Sequence, residues 1–253
     1  MSRRSFELWL IWQNTETRQR YHVGTLTYMN GLYTFYYENN DNRRKLREAL
    51  ENGYQQHLAF PDVNKTYTSH KLFGPFARRT PDPRRPDYVE VLHELGLTEN
   101  CTDMDVLLAT GGLLATDDYE FVAPIQIDET EFYFEFYLAG WRHYVDESEI
   151  NHLTEGDKIH FLLEPDNDKD SKAVIVESAK GKMLGYIPAF YSGWMFNEIF
   201  KGVQYNAVIE AVHPEADPHR KVRIFVKGLL STSSERNSDL QENKEDSLIP
   251  VAY

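Results

Sequence analysis

Six residues in the second half of this 253-residue chain have side chains of the types that can hold a nucleotide. Arg142 and His143 lie in the stretch GWRHY, Asn167, Lys169 and Asp170 in LLEPDNDKDSKAVIV, and Tyr186 in GKMLGYIP. An aromatic or imidazole face gives an unstacked base a platform worth about 1–3 kcal/mol. Arg142 can grip a phosphate through paired N–H donors, or stack on a base. Asn167 and Asp170 can accept hydrogen bonds from a sugar hydroxyl such as a terminal 3′-OH. A carboxylate repels a phosphodiester, so Asp170 suits a hydroxyl end better than continuous backbone. Lys169 can meet a phosphate but cannot stack. Each residue also has a purely structural use. Asn167, Asp168 and Asp170 can close an Asx-type turn. Arg142 can pair with a nearby carboxylate, Tyr186 can belong to the core, and His143 can be an ordinary surface residue. Glu164-Pro165 reads as part of the turn.

The elements that must position these residues are short strands. Glu131–Ala139 (EFYFEFYLA) alternates acidic and aromatic residues before turning apolar, as a half-buried strand does. Lys158–Leu163, Lys172–Val176 and Met183–Ile187 follow, separated by polar turns. A helix is expected over Phe190–Phe200, then strands over Tyr205–Val212 and Val222–Val226. Short strands at this spacing suggest a small barrel or half-barrel.

The first half reads differently. Phe6, Leu8, Leu10 and Trp12 share one strand face. Tyr21–Met29 and Leu32–Tyr37 flank Asn30-Gly31, a hairpin signal because both turn positions need positive φ. A three-stranded meander opens the chain. Short helices are expected over Arg43–Glu51, over Asp87–Leu95 with Asp87 as N-cap, and over Asp103–Ala109 with Asp103 as N-cap. The Pro-rich connection Phe60–Pro86 holds four arginines in FARRTPDPRRP. They form either an anion- or partner-binding loop or a rigid solvated loop whose arginines cap neighbouring carboxylates. Tyr119–Ile127 is strand-like, with Pro124 placing it at an edge or breaking it.

The fold class expected is therefore α+β: an N-terminal β-meander with two or three short helices over residues 1–127, a small β-barrel over 128–228, and a disordered acidic tail over 229–253. Charge restricts the function. The chain carries 27 Lys and Arg against 40 Asp and Glu, net −13. Residues 128–228 hold 11 basic and 18 acidic side chains, net −7. A long electrostatic track along nucleic acid is excluded, since such tracks draw their affinity from basic side chains; any contact is local. The single Cys101 excludes an internal disulfide. No apolar run is long enough for a membrane helix, and Met1–Arg20 lacks a signal-peptide core, so a soluble cytoplasmic protein is expected. His213, Glu215, Asp217 and His219 (HPEADPH) could be imagined as metal ligands but read as a turn. EPDNDKD lacks the central Gly and terminal Glu of a calcium loop. No Gly-rich phosphate loop or nucleophile elbow is present. The expectation is a protein that is not an enzyme, with no catalytic residue, metal or cofactor.

The order of the three stretches resembles the HIRAN domain. Its pattern is a G-x-R-Y/H-Y turn, an E-P-x-N-x-x-D turn leading into A-[IV]-x-V, and a G-x-x-[IL]-G-[YH]-[IL] strand. The resemblance implies an OB-like β-barrel that binds single-stranded DNA, in the best understood branch at a free 3′ end. On that pattern Arg142 and His143 match the first turn, Asn167 and Asp170 the second, and Tyr186 the ring position of the last strand. Lys169 departs from it, standing where the end-binding branch has an aromatic. The first half resembles the amino-terminal subdomain of HipA-type toxin kinases, through its WL…VGTL hairpin, its NGLYTFYY strand and a pair of helices ending in LLATGG before a strand. That resemblance implies a non-catalytic module that contacts a protein partner, since no kinase HxD or DxG motif is present. Together they imply a bacterial or phage-type protein that binds single-stranded DNA or DNA 3′ ends and a separate protein. An antitoxin-like interaction protein without DNA binding is the alternative.

Overall fold

The structure, a computed structural model, describes residues 6–39, 43–145, 152–216 and 220–230. It divides into two compact units, Met1–Pro124 and Ile125–Tyr253.

The first unit is built on an antiparallel sheet in the order β4-β3-β2-β1-β5, from β1 (Phe6–Gln13), β2 (Arg20–Met29), β3 (Leu32–Tyr37), β4 (Tyr67–Ser69) and β5 (Tyr119–Val122). The β2–β3 hairpin turns where the sequence requires it: Asn30 has φ 52° and Gly31 φ 80°. Leu8 and Leu26 pair in register and face the core with Leu10, Phe35 and Phe76. Pro124 ends β5 rather than lying within it, and the expected single strand becomes β5 and β6 (Gln126–Asp128).

Four short helices complete the unit: α1 (Leu46–Glu51), α2 (Gly74–Ala77), α3 (Tyr88–Glu94) and α4 (Asp103–Thr110). Two expected caps are corrected. Thr102, not Asp103, caps α4, in a capping box with Asp105 that satisfies two backbone donors reciprocally. Asp87 occupies the N-cap position of α3 but does not cap it, because its carboxylate holds Arg85. The arginine loop follows its structural alternative: Arg79 pairs with Asp117, Arg84 with Asp82 and Arg85 with Asp87.

The second unit is an antiparallel sheet in the order β10-β9-β8-β11-β12-β7-β6. Its remaining strands are β7 (Glu131–Tyr137), β8 (Lys158–Glu164), β9 (Ala173–Ser178), β10 (Met183–Tyr186), β11 (Gln204–Val212) and β12 (Val222–Leu229). Helix α5 (Ala189–Phe200) packs Tyr191 against Phe134 and Trp194 against Phe132. The alternation in β7 buries Phe132, Phe134 and Phe136 and exposes Glu131, Tyr133 and Glu135. Each fully buried ring contributes on the order of 1.5–3 kcal/mol.

The sheet is not closed into a barrel. β7 is already paired on both sides, with β12 and β6, so β10 meets the far end of the sheet only at a bridge between Ala139 and Tyr186. Two residues of the tail expected from residue 229 belong to the fold instead: Leu229 closes β12 and the Leu230 amide donates to Thr130 O, while residues 231–253 lie outside the described residues.

Candidate nucleic-acid interface

The site begins where β7 runs out. The Ala139 amide donates to Tyr186 O at 3.0 Å, and the Tyr186 amide returns a bond to Ala139 O at 2.9 Å. This crossing demands a glycine before Tyr186. A Cβ on Gly185 would lie 2.5 Å from Ala139 O, and its φ of 153° is one that side chains disfavour. Gly140, at φ 70°, then reverses the chain into a single 3-10 turn, Trp141–His143. Trp141 points inward and is 3% exposed, anchoring the turn, while Arg142, His143 and Tyr144 face solvent.

The turn is thereby set against Tyr186. Tyr186 pairs in register with Ile175 on β9, and Ile175 with Leu162 on β8, so the three side chains share one face of the sheet. The Tyr186 hydroxyl donates to Glu164 Oε2 at 2.9 Å. Glu164 is on β8, two strands away, and strands are spaced about 4.8 Å apart. The tyrosine ring must therefore lie across β9 on that face. Tyr144 stands against it, ring centroids 5.7 Å apart and planes at 74°. A ring on the sheet and a second ring perpendicular to it make a floor and a wall. Burial first, then Tyr144 and Glu164, push the Tyr186 phenol above its ordinary pKa, so it stays a proton donor to the carboxylate.

The polar turn between β8 and β9 braces this arrangement. Asn167 Nδ2 donates to Glu164 Oε2 at 2.6 Å and to the Tyr186 hydroxyl at 3.4 Å. Asn167 Oδ1 accepts the Lys169 and Asp170 amides, and Asp170 Oδ1 accepts the Lys172 amide. The turn-closing alternative is thus what these two residues adopt. The acceptor oxygen of Asn167 is occupied by backbone, and its contribution to the site is to hold Glu164 and Tyr186.

Tyr186 is only partly buried, and Lys169 is exposed. No hydrogen bond or ion pair engages the side chain of Arg142 or His143 among the described residues. Cations close along the chain are Lys169 and Lys172, the latter held by Asn197 Oδ1 at 3.2 Å and lying 4.2 Å from the Phe196 ring centroid. The structure brings Asn167 and Tyr186 into direct contact, joins Lys169 and Asp170 to them through the turn, and delivers Arg142 and His143 on the adjacent turn.

Two residues of the arrangement were not among the six. Tyr144 is the last residue of GWRHY, and its match to the final Y of the G-x-R-Y/H-Y turn was its signal. Glu164 read as scaffold because nothing local shows that a side chain two strands away will bond to it. Of the four residues considered for a metal, Asp217 and His219 lie outside the described residues; no cluster of three or more metal-binding side chains occurs among the described ones. No described helix is long and apolar enough to cross a membrane.

These three converging segments fall within a stretch that is similar to a known domain. Residues 131–230 match the family model of the HIRAN domain. Two solved structures are similar to part of the chain. The crystal structure of the HIRAN domain of human HLTF is 12% identical, covers 50% of this chain and 100% of its own, and has a TM-score of 0.34. A crystal structure of a Lactobacillus plantarum protein is 16% identical, covers 38% of this chain and 92% of its own, with a TM-score of 0.34. No curated protein matches. The resemblance of residues 1–127 to the HipA-type subdomain is not shown by these comparisons.

Proposed function

We propose that residues 131–230 bind single-stranded nucleic acid, taking one unstacked base onto Tyr186 with Tyr144 as the wall. The HIRAN domain is a nucleic-acid-binding module, and the match supports this reading. The observation that carries it is the pairing of Ala139 with Tyr186, which places the exposed Arg142–Tyr144 turn beside a ring braced from beneath by Glu164 and Asn167. Stacking on a preformed platform needs no basic track, which suits a region of net charge −7. Arg142 and Lys169 meet the phosphates that flank the stacked nucleotide. Glu164 and Asp170 repel a phosphodiester at the floor itself, and this favours a strand end, with a DNA 3′ end as the ligand. The role is binding without catalysis. The first unit would supply the contact to a protein partner.

The test is fluorescence anisotropy with single-stranded DNA whose 3′ end is free or phosphorylated. The free end binds more tightly. Tyr186→Leu, which keeps an apolar side chain on the strand, weakens it about tenfold, as loss of one stacked base requires. The acidic balance of the region favours a competing reading, an interaction protein that does not bind nucleic acid. Failure of every oligonucleotide to bind at low salt establishes that reading instead.

A further inference from the structure

Glu164 has a valence left over. Its Oε2 accepts two hydrogen bonds, from the Tyr186 hydroxyl and from Asn167 Nδ2, which fills both lone pairs of that oxygen. No partner engages Oε1 among the described residues. The carboxylate is partly buried and lies at the hydroxyl end of the Tyr186 ring. A base stacked on that ring brings one edge toward the hydroxyl end, where the Glu164 carboxylate lies.

We infer that Glu164 selects the stacked base, preferring guanine because its Watson–Crick edge offers two adjacent N–H donors. This rests on the reading of Tyr186 as the stacking floor. Oε1 has two open lone pairs and no proton to give. Guanine meets it with N1–H and the 2-amino group. Adenine and cytosine meet it with one amino group. Thymine offers a single N–H between two carbonyl oxygens, both of which the carboxylate repels. Unpaired bases in single strands are commonly read through such edges, and a pair of good hydrogen bonds discriminates strongly between bases.

The experiment is a titration of the full chain against thymidine oligonucleotides that carry one guanine, one inosine or no substitution at the 3′-terminal position, each with a free 3′ end. Inosine lacks only the 2-amino group. The expected order is guanine over inosine over thymine, with roughly tenfold between the first and last. The discriminating variant is Glu164→Gln. Its amide oxygen can still accept from Tyr186 and Asn167, while its NH₂ replaces Oε1 and donates, so the order reverses in favour of thymine. A merely structural role for Glu164 lowers all three affinities together and overturns the inference. Equal affinity of the unaltered chain for all three also overturns it, while leaving the stacking site intact. Binding to none of the three overturns the stacking site as well.

Discussion

The molecule holds a carboxylate, a ring and an amine or amide together in two places, with opposite results. In the first unit, Lys45 Nζ lies 2.6 Å from His22 Nδ1 and 3.3 Å from Glu38 Oε2, and Thr25 donates to Glu38 Oε1 at 2.7 Å. With Lys45 donating to Nδ1, His22 Nε2 carries the proton and donates to Gly24 O at 3.0 Å. Trp9 closes the group by stacking on His22, ring centroids 4.4 Å apart. His22 is 1% exposed and both its nitrogens are engaged. In the second unit, Glu164, Asn167 and Tyr186 form a comparable network, but it lies at the surface and leaves one carboxylate oxygen without a protein partner among the described residues. A network whose every donor and acceptor is matched inside the protein can act only on stability. One that retains an open valence beside an accessible ring can act on a ligand.

The widest gap between the two regions should appear when the first core is emptied. Phe35 is fully buried against Phe60 and Phe76. Phe35→Ala costs about 3–5 kcal/mol in the first unit by cavity formation, read as a lower thermal midpoint, with oligonucleotide affinity unchanged. Loss of affinity in that variant would show that the regions are not energetically separate.

Gly185→Ala makes the converse break. The new methyl collides with Ala139 O, so the bridge opens and the Arg142–Tyr144 turn leaves Tyr186. A loss of about 2–3 kcal/mol in the second unit and of most binding is expected, with the first unit's transition unmoved. Retained affinity in a destabilised protein would separate the bridge from the site.

Acid sharpens the contrast. Burial first, then the Lys45 charge, hold the His22 pKa well below its ordinary value. The unfolded chain therefore takes up a proton near pH 6.5 that the folded one refuses. The first unit loses stability as pH falls below about 6.5, with a limiting slope of about 1.4 kcal/mol per pH unit, and His22→Gln flattens the profile. A profile flat from pH 7 to 5 in the unaltered protein would show that the network opens without cost.

The smallest effect belongs to an exposed cation. Arg142→Ala lowers the slope of log affinity against log salt by about 0.7, one phosphate contact on a single strand. An unchanged slope would place Arg142 on the base rather than the backbone.

Local physics made much of this molecule legible before folding. Asn30-Gly31 announced its hairpin because few other pairs tolerate positive φ twice in succession. The alternation of Glu131–Tyr137 announced a strand with one buried face. Helix α4 was legible, but its cap was misplaced by one residue, since Thr102 and Asp103 are both good caps and only the reciprocal bond to Asp105 decides between them. The polar turn announced itself as a turn and as a candidate site at once, and the structure shows Asn167 closing the turn with Oδ1 and bonding Glu164 and Tyr186 with Nδ2.

By itself, the sequence determined the short strands, their turns, the three stretches of the candidate site and the absence of a basic track, because each depends on residues a few positions apart. Tertiary structure alone decided that Ala139 meets Tyr186 across 47 residues, that the sheet stays open, and that Glu164 holds a ring from two strands away. Those contacts depend on which strand lies beside which, and that order is set by the packing of the whole unit.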